Sequence, residues 1–78
     1  MKLTRMPHYF FHLIGDIPAQ DFLGHDCESD DEARDHASFL AHRIGTEKPE
    51  MVKSQNYIQV VDQQNTEVGR APLASVDA

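Results

Sequence analysis

The chain has 78 residues, and its thirteen acidic and seven basic residues give it a net charge of −6. This length accommodates one domain and leaves no room for a second. The acidic balance argues against nucleic acid as a partner, because nonspecific affinity for the phosphate backbone is carried mainly by Lys and Arg. The single cysteine, Cys27, excludes an internal disulfide and suits a reducing compartment.

The N-terminus and the hydropathy of the chain bear on its location. Residues 1–5 lack the apolar run of a signal peptide, and no stretch approaches the length of a membrane span. We therefore predict a cytoplasmic protein that does not enter a membrane. A chain this short buries only about 60% of its unfolded surface, and small scaffolds often gain further stability by oligomerisation.

The first predicted strand covers residues 7–14, a segment dense in aromatic residues and closed by a Gly-Asp turn. Successive side chains of a strand point to opposite faces, so both faces of this strand are partly apolar. The two sets are Tyr9, Phe11 and Leu13 on one face, and Phe10, His12 and Ile14 on the other. A short, irregular second strand is predicted at residues 22–27.

The predicted helix spans residues 29–45. Ser29 and Glu32 fit a capping box, in which the serine hydroxyl accepts from the N–H three residues on and the glutamate reaches back to the serine N–H. Gly45 is predicted to end the helix in a left-handed conformation, with Arg43 in the last turn, where a cation is favourable. A narrow apolar stripe should face a sheet: Ala33, Ala37, Leu40, Ala41 and Ile44.

The outer side of the helix and the segment after it are less patterned. Phe39 falls on the side opposite the stripe. Singly exposed aromatic residues are common, and a contact surface is the alternative interpretation. Residues 47–56 are polar and predict a loop, with Met51 and Val52 tucking back onto the core.

The C-terminal part of the chain predicts a β-hairpin. Residues 57–61 alternate as a strand, and residues 62–65 form a turn in which Asn65 suits a positive φ. Residues 67–73 form the returning strand. Pro72 cannot donate to a β-ladder, so this strand should lie at an edge or end there.

Two hairpins and one helix predict an α+β fold in the order ββαββ, with the helix packed on one face of a small antiparallel sheet. We place a single domain at residues 6–73. Residues 1–5 form an N-terminal extension and residues 74–78 a loose tail. Because of the extension, either Met1 or Met6 could be the natural start.

The second face of the predicted sheet carries large apolar side chains and has no helix to cover it. Homodimerisation through that face, or through an edge strand, is the predicted resolution. A wet, mildly apolar face is the alternative. The predicted interface residues are Phe10, His12, Ile14, Tyr57 and Phe39.

Several motifs resemble a family of short bacterial proteins classed as a domain of unknown function. Residues 6–11 read Met-Pro-His-Tyr-Phe-Phe, similar to the stretch with which members of that family open. The family's Asp-x-x-Gly followed by an acidic residue, and its Ala-Arg at the start of a helix, resemble residues 21–26 and 33–34. Its closing hairpin resembles residues 60–62, although Asn65 stands where glycine is usual. The resemblance implies this architecture and carries no activity, cofactor or catalytic residue.

Metal and catalytic chemistry find little support in the residue spacing. His25 and Cys27 lie near acidic residues, but structural zinc sites usually show paired Cys or His at short loop spacing. His36 and His42 lie about 120° apart around the helix, so one metal ion would not easily reach both. No motif presents Cys27 or a serine beside a histidine and an acid, as nucleophilic catalysis requires. We predict no metal, no cofactor and no enzymatic activity.

These observations favour a non-catalytic, self-associating protein-interaction module, and they leave a further protein partner open. The alternative is a protein that binds single-stranded nucleic acid through the same sheet face, with Phe10 and Tyr57 stacking on bases. A surface that binds nucleic acid needs basic residues around its aromatic rings, whereas the basic residues Lys48, Lys53 and Arg70 are scattered in the sequence.

Overall fold

The computed structural model describes residues 7–74. The predicted extension at residues 1–5, and all of the predicted tail except Ala74, lie outside the described residues. The elements in chain order are β1 (His8–Ile14), β2 (His25–Asp26), α1 (Asp30–Glu47), a single 3-10 turn (Pro49–Met51), β3 (Tyr57–Val61) and β4 (Glu67–Pro72). The predicted α+β fold is confirmed, with its strand-strand-helix-strand-strand order.

The described strands form one antiparallel sheet in the order β2-β1-β3-β4. Residues 10–14 of β1 pair with β3, with Phe11 opposite Val60 and Leu13 opposite Ile58. β3 turns back into β4 through a loop in which Asn65 has a φ of 65°, the positive value predicted for it. β1 and β3 are therefore the central strands, and β2 and β4 are the edges.

The helix covers one face of the sheet through its predicted stripe. Ala33, Ala37 and Ala41 are at most 1% exposed, and these small side chains let the helix backbone lie close to the strands. The strand side chains that lie beneath these alanines complete the core: Tyr9, Phe11, Ile58, Val60 and Ala71. Full burial of a side chain such as Val60 or Ile58 stabilises the fold by about 1.5–3 kcal/mol.

The helix begins where the capping residues predict. Ser29 Oγ accepts from the backbone N–H of Glu32 at 3.1 Å. The Glu32 carboxylate accepts from the backbone N–H of Glu28, one residue before the partner that the capping box predicts. Acidic side chains fill the first turn, where the helix dipole favours negative charge.

The predicted end of the helix is wrong by two residues. Gly45 is buried inside α1, which continues to Glu47, and no basic residue lies in the last turn, so the roles predicted for Gly45 and Arg43 do not apply. A Cβ at Gly45 would lie 2.0 Å from the carbonyl oxygen of Ala74. Glycine therefore allows the chain after β4 to approach the helix closely. A local helix pattern does not reveal such a long-range contact.

The connecting segments match the predictions in part. Met51 is buried as predicted, whereas Val52 is 39% exposed, because neighbouring residues of a tight turn do not both face the core. Pro72 is the last residue of edge strand β4, as predicted. β2 is two residues long, shorter than the predicted strand, because the side chain of Asp21 replaces part of the ladder beside β1.

Candidate functional site

The sheet face opposite α1 carries three rows of cross-strand neighbours, and we call it the open face. No helix of the described residues covers it. The rows are Phe10, Val61 and Glu67; His12, Gln59 and Arg70; and Ile14, Tyr57 and Pro72. The middle row is polar, and the rows on either side of it are mostly apolar. The open face thus brings together Phe10, His12, Ile14 and Tyr57, four of the five predicted interface residues, all of them half-buried.

Phe39, the fifth predicted interface residue, lies apart from the other four. It projects from the outer side of α1 and is 58% exposed. Its ring lies 6.2 Å, centroid to centroid, from the ring of His36. A contact made by the open face would not include Phe39.

The open face also carries an ion pair. Arg70 Nε donates to Glu67 Oε2 at 2.5 Å, and the Arg70 guanidinium carbon lies 4.8 Å from the centroid of the Tyr57 ring. The hydrogen bond from Arg70, and next the one from Gln59, lower the pKa of Glu67. The face therefore presents one positive and one negative charge on neighbouring side chains.

Asp21 shapes the connection between β1 and β2. Its Oδ2 accepts from the backbone N–H of Phe11, and its Oδ1 accepts from those of Leu23 and Gly24, each at 3.1 Å. Its own N–H donates to Nδ1 of His12 at 3.0 Å. Burial acts to raise the pKa of Asp21, but the backbone donors outweigh it and lower the pKa. One ionised carboxylate therefore both extends the edge of β1 and closes a turn, which we call the Asp21–Gly24 turn.

Two large apolar side chains project from this turn. Phe22 is 79% exposed and Leu23 is 86% exposed. Phe22 borders the open face, where it lines a shallow pocket of about 220 Å³ with Phe10, His12 and Asn65. Neither residue was predicted to belong to a contact surface. The Asp-x-x-Gly spacing could have identified them, because an Asp side chain commonly caps such a turn and its central residues then point to solvent.

His8 holds the same turn from β1. Its Nδ1 lies 2.5 Å from Oδ1 of Asp26, and its Nε2 lies 2.8 Å from the carbonyl oxygen of Leu23. The hydrogen bond with Asp26, and then the one with Leu23, raise the pKa of His8. Gly24 has a φ of 73° and passes so close that a Cβ would lie 2.4 Å from His8 Nε2. We call this arrangement the His8 latch.

The edges of the sheet are poorly suited to pairing with another strand. On β4, the carbonyl oxygen of Val68 already accepts from Nη1 of Arg34 at 2.9 Å. The Arg34 side chain also lies over Gly69, where a Cβ would come within 2.6 Å of it. Pro72 offers no N–H. The other edge strand, β2, is only two residues long.

A groove of about 380 Å³ lies on the helix side of the sheet, between α1 and the β1–β2 connection. Its apolar lining includes Phe11, Leu13 and Ile58. His25 and His36 stack beside it with nearly parallel rings, 4.3 Å between centroids. Burial and the neighbouring His25 lower the pKa of His36, so this imidazole is uncharged at neutral pH.

Cys27 is 1% exposed and belongs to the core, where burial raises the pKa of its thiol. A protonated thiol in this position is a small apolar side chain. Within residues 7–74, no group of three His, Cys, Asp or Glu side chains is placed to hold a metal ion. None of the helices in that range is long and apolar enough to cross a membrane.

The fold and these contacts define a small α+β domain built around a capped turn and one helix. The chain belongs to DUF6894, a domain of unknown function, which matches it over residues 8–74. Neither a curated protein nor a solved structure matches the chain. Two motifs that carried the resemblance have structural roles here, because Asp21 and Gly24 form the turn and Arg34 packs on β4.

Proposed function

We propose that this domain is a non-catalytic interaction module that self-associates through its open face. The observation that carries the proposal is the open face itself, a sheet surface on which Phe10, Ile14 and Tyr57 are only half-buried and which no helix within residues 7–74 covers. Phe22 enlarges this surface at its border. Contiguous apolar surface of this kind often marks a protein–protein contact.

A second copy of the chain is the occupant that the charges favour. In a contact with two-fold symmetry, the same patch faces itself, so each charge on the patch meets the patch of the partner. Because Arg70 and Glu67 neutralise each other on the open face, two copies can meet through this face without repulsion between like charges. The protected edges of the sheet direct the contact to the face, since Arg34 and Pro72 obstruct strand addition at β4.

The dimensions of the face predict a weak dimer. Three strands of about six residues span roughly 20 by 14 Å, an area of about 280 Å². This area is smaller than the roughly 800 Å² that each partner buries in a standard interface. The exposed Phe22 of the Asp21–Gly24 turn adds to this area. We therefore expect dissociation in the micromolar range or above.

Sedimentation equilibrium from about 10 µM to about 1 mM tests the proposal. We expect the average mass to rise with concentration from 8.8 kDa toward twice that value. Phe10→Asp should hold the mass at that of a monomer and leave the helix signal in circular dichroism intact. Phe39→Asp is the matched control, because it introduces the same charge at an exposed ring on the other side of the domain. A monomeric wild type, or equal loss of association in both variants, would refute the proposal.

Binding of single-stranded nucleic acid through the open face is the competing function. Tyr57 already stacks against Arg70, and Glu67 neutralises that cation. A fluorescent single-stranded oligonucleotide titrated with the protein at low salt should therefore show no binding. Saturable binding that Tyr57→Ala abolishes would favour the nucleic-acid function over self-association.

A further inference from the structure

The His8 latch joins three separate parts of the chain through one imidazole ring. Asp26 belongs to β2, Leu23 belongs to the Asp21–Gly24 turn, and His8 begins β1. Both ring nitrogens of His8 face acceptors, a carboxylate oxygen at 2.5 Å and a carbonyl oxygen at 2.8 Å. Only the doubly protonated imidazolium has an N–H for each of them.

Deprotonation of His8 would release the turn side of the latch. A neutral imidazole keeps one N–H, and the charged carboxylate of Asp26 is the stronger acceptor. Nε2 would then present a lone pair to the carbonyl oxygen of Leu23 at a distance suited only to a hydrogen bond. The turn would have to move away from the ring.

The charged groups that face His8 all act in one direction. Asp26 from β2 and Asp21 from the turn both favour the imidazolium, and the carbonyl of Leu23 supports it. Phe10 contacts the ring edge-to-face at 5.2 Å between centroids and brings no charge. The latch therefore holds its proton more firmly than a free histidine, whose ordinary pKa is 6.5.

We propose that the His8 latch is a proton-controlled device that holds the turn carrying the exposed Phe22–Leu23 pair against the ring when His8 is charged and releases that contact when His8 is neutral, while the Asp21 carboxylate keeps the turn itself closed. Because the folded-state pKa is raised, the latch contributes its full stabilisation below about pH 6.5. That contribution is lost as pH rises through the folded-state pKa. Tighter self-association at lower pH follows from a fixed Phe22, and this consequence rests on the proposed function.

Nuclear magnetic resonance of the dilute full chain tests the latch separately from assembly. A pH titration should follow the Cε1 proton of His8 together with the carbonyl carbon of Leu23 and the amide of Gly24. We expect all three to change with one common midpoint above pH 6.5. Backbone relaxation should show a more mobile turn on the alkaline side of that midpoint.

Two variants identify the proton responsible. Asp26→Asn keeps an acceptor oxygen but removes the charge, so the common midpoint should move to lower pH. His8→Gln has no titrating group, so its turn should give no transition and should stay mobile at every pH. His42→Gln is the matched control, because His42 is exposed on α1, away from the turn, and the wild-type transition should remain.

Three outcomes would overturn the proposal. The signals of Leu23 and Gly24 could stay constant while His8 titrates. They could instead follow His12, whose Nδ1 accepts from the turn at Asp21. The midpoint could also be unchanged in Asp26→Asn. Sedimentation of the wild type and of His8→Gln, each at two pH values, then tests assembly. If the turn is latched but the protein remains monomeric, only the proposed function is contradicted.

Discussion

Replacing Asp21 with Ala measures how much one carboxylate contributes to the stability of the fold. The substitution removes the acceptor for three backbone N–H groups. Phe11 is only 8% exposed, and a buried N–H left without a partner costs about 1–3 kcal/mol. The N–H groups of Leu23 and Gly24 lie in a surface turn and can bond to water instead. We therefore expect Asp21→Ala to lower the free energy of unfolding by about 2–3 kcal/mol.

That loss is large for a chain of this size, whose total stability is expected to be about 4–12 kcal/mol. Urea unfolding followed by far-ultraviolet circular dichroism measures it. Asp21→Asn keeps one acceptor oxygen, so its free energy of unfolding should fall by less than that of Asp21→Ala. Asp35→Ala is the control, since Asp35 is exposed on α1 and its removal should change stability by less than about 0.5 kcal/mol.

The pH dependence gives a second signature of the same carboxylate. Because the folded-state pKa of Asp21 is lowered, its stabilisation is present at neutral pH and is lost as pH falls below the ordinary value of 3.8 and through the folded-state pKa. The difference in stability between wild type and Asp21→Ala should therefore shrink in acid. If Asp21→Ala lowers the free energy of unfolding at neutral pH no more than Asp35→Ala does, water replaces the carboxylate and the predicted role of Asp21 is refuted.

Two further substitutions test long-range packing. Gly45→Ala should destabilise the domain by about 1–3 kcal/mol, because a Cβ would lie 2.0 Å from the carbonyl oxygen of Ala74. Helix propensity alone predicts the opposite effect. A variant that is more stable than wild type in urea unfolding would therefore contradict that contact. Asn56→Ala should lower the free energy of unfolding by about 2–3 kcal/mol. Asn56 is 1% exposed, and its side chain accepts from the N–H of Asp16 and donates to the carbonyl of Met51, each at 2.8 Å. Faster hydrogen exchange at Asp16 should accompany the loss, and unchanged exchange there would speak against the first of these bonds.

The elements that depend on local pattern were predictable from the sequence. Alternation in β1 and β3 and the alanine stripe of α1 depend on spacing within one segment, which defines which side faces the core. Asn65 and Pro72 are constrained by their own backbone chemistry, and both lie where that chemistry predicts. The α+β fold follows from these elements because one amphipathic helix needs one sheet face to cover.

The features that were missed depend on contacts between distant segments. Gly45 resembled a helix end, and only the approach of Ala74 explains it. The predicted second strand was too long because the side chain of Asp21 replaces a ladder, and alternation cannot show such a replacement. The His8 latch joins residues that lie 15 and 18 positions apart. No periodicity links them, although their residue types were visible.

The candidate site was predicted in part for the same reason. Alternation placed Phe10, His12 and Ile14 on one face, and the register between β1 and β3 adds Tyr57 to it. Phe39 was grouped with them because an exposed aromatic ring invites a contact, but the helix carries it to the other side of the domain. Phe22 was overlooked because it lies in a turn, where hydrophobic periodicity gives no signal.

The most direct test of self-association through the open face is an isotope-filtered nuclear Overhauser experiment on a mixture of labelled and unlabelled chains. At concentrations where sedimentation shows dimer, we expect contacts between copies from the ring protons of Phe10 and Tyr57 to the methyl groups of Ile14. Contacts between copies that arise from Phe39 instead, or none from the open face in a sample of doubled mass, would contradict the proposed interface.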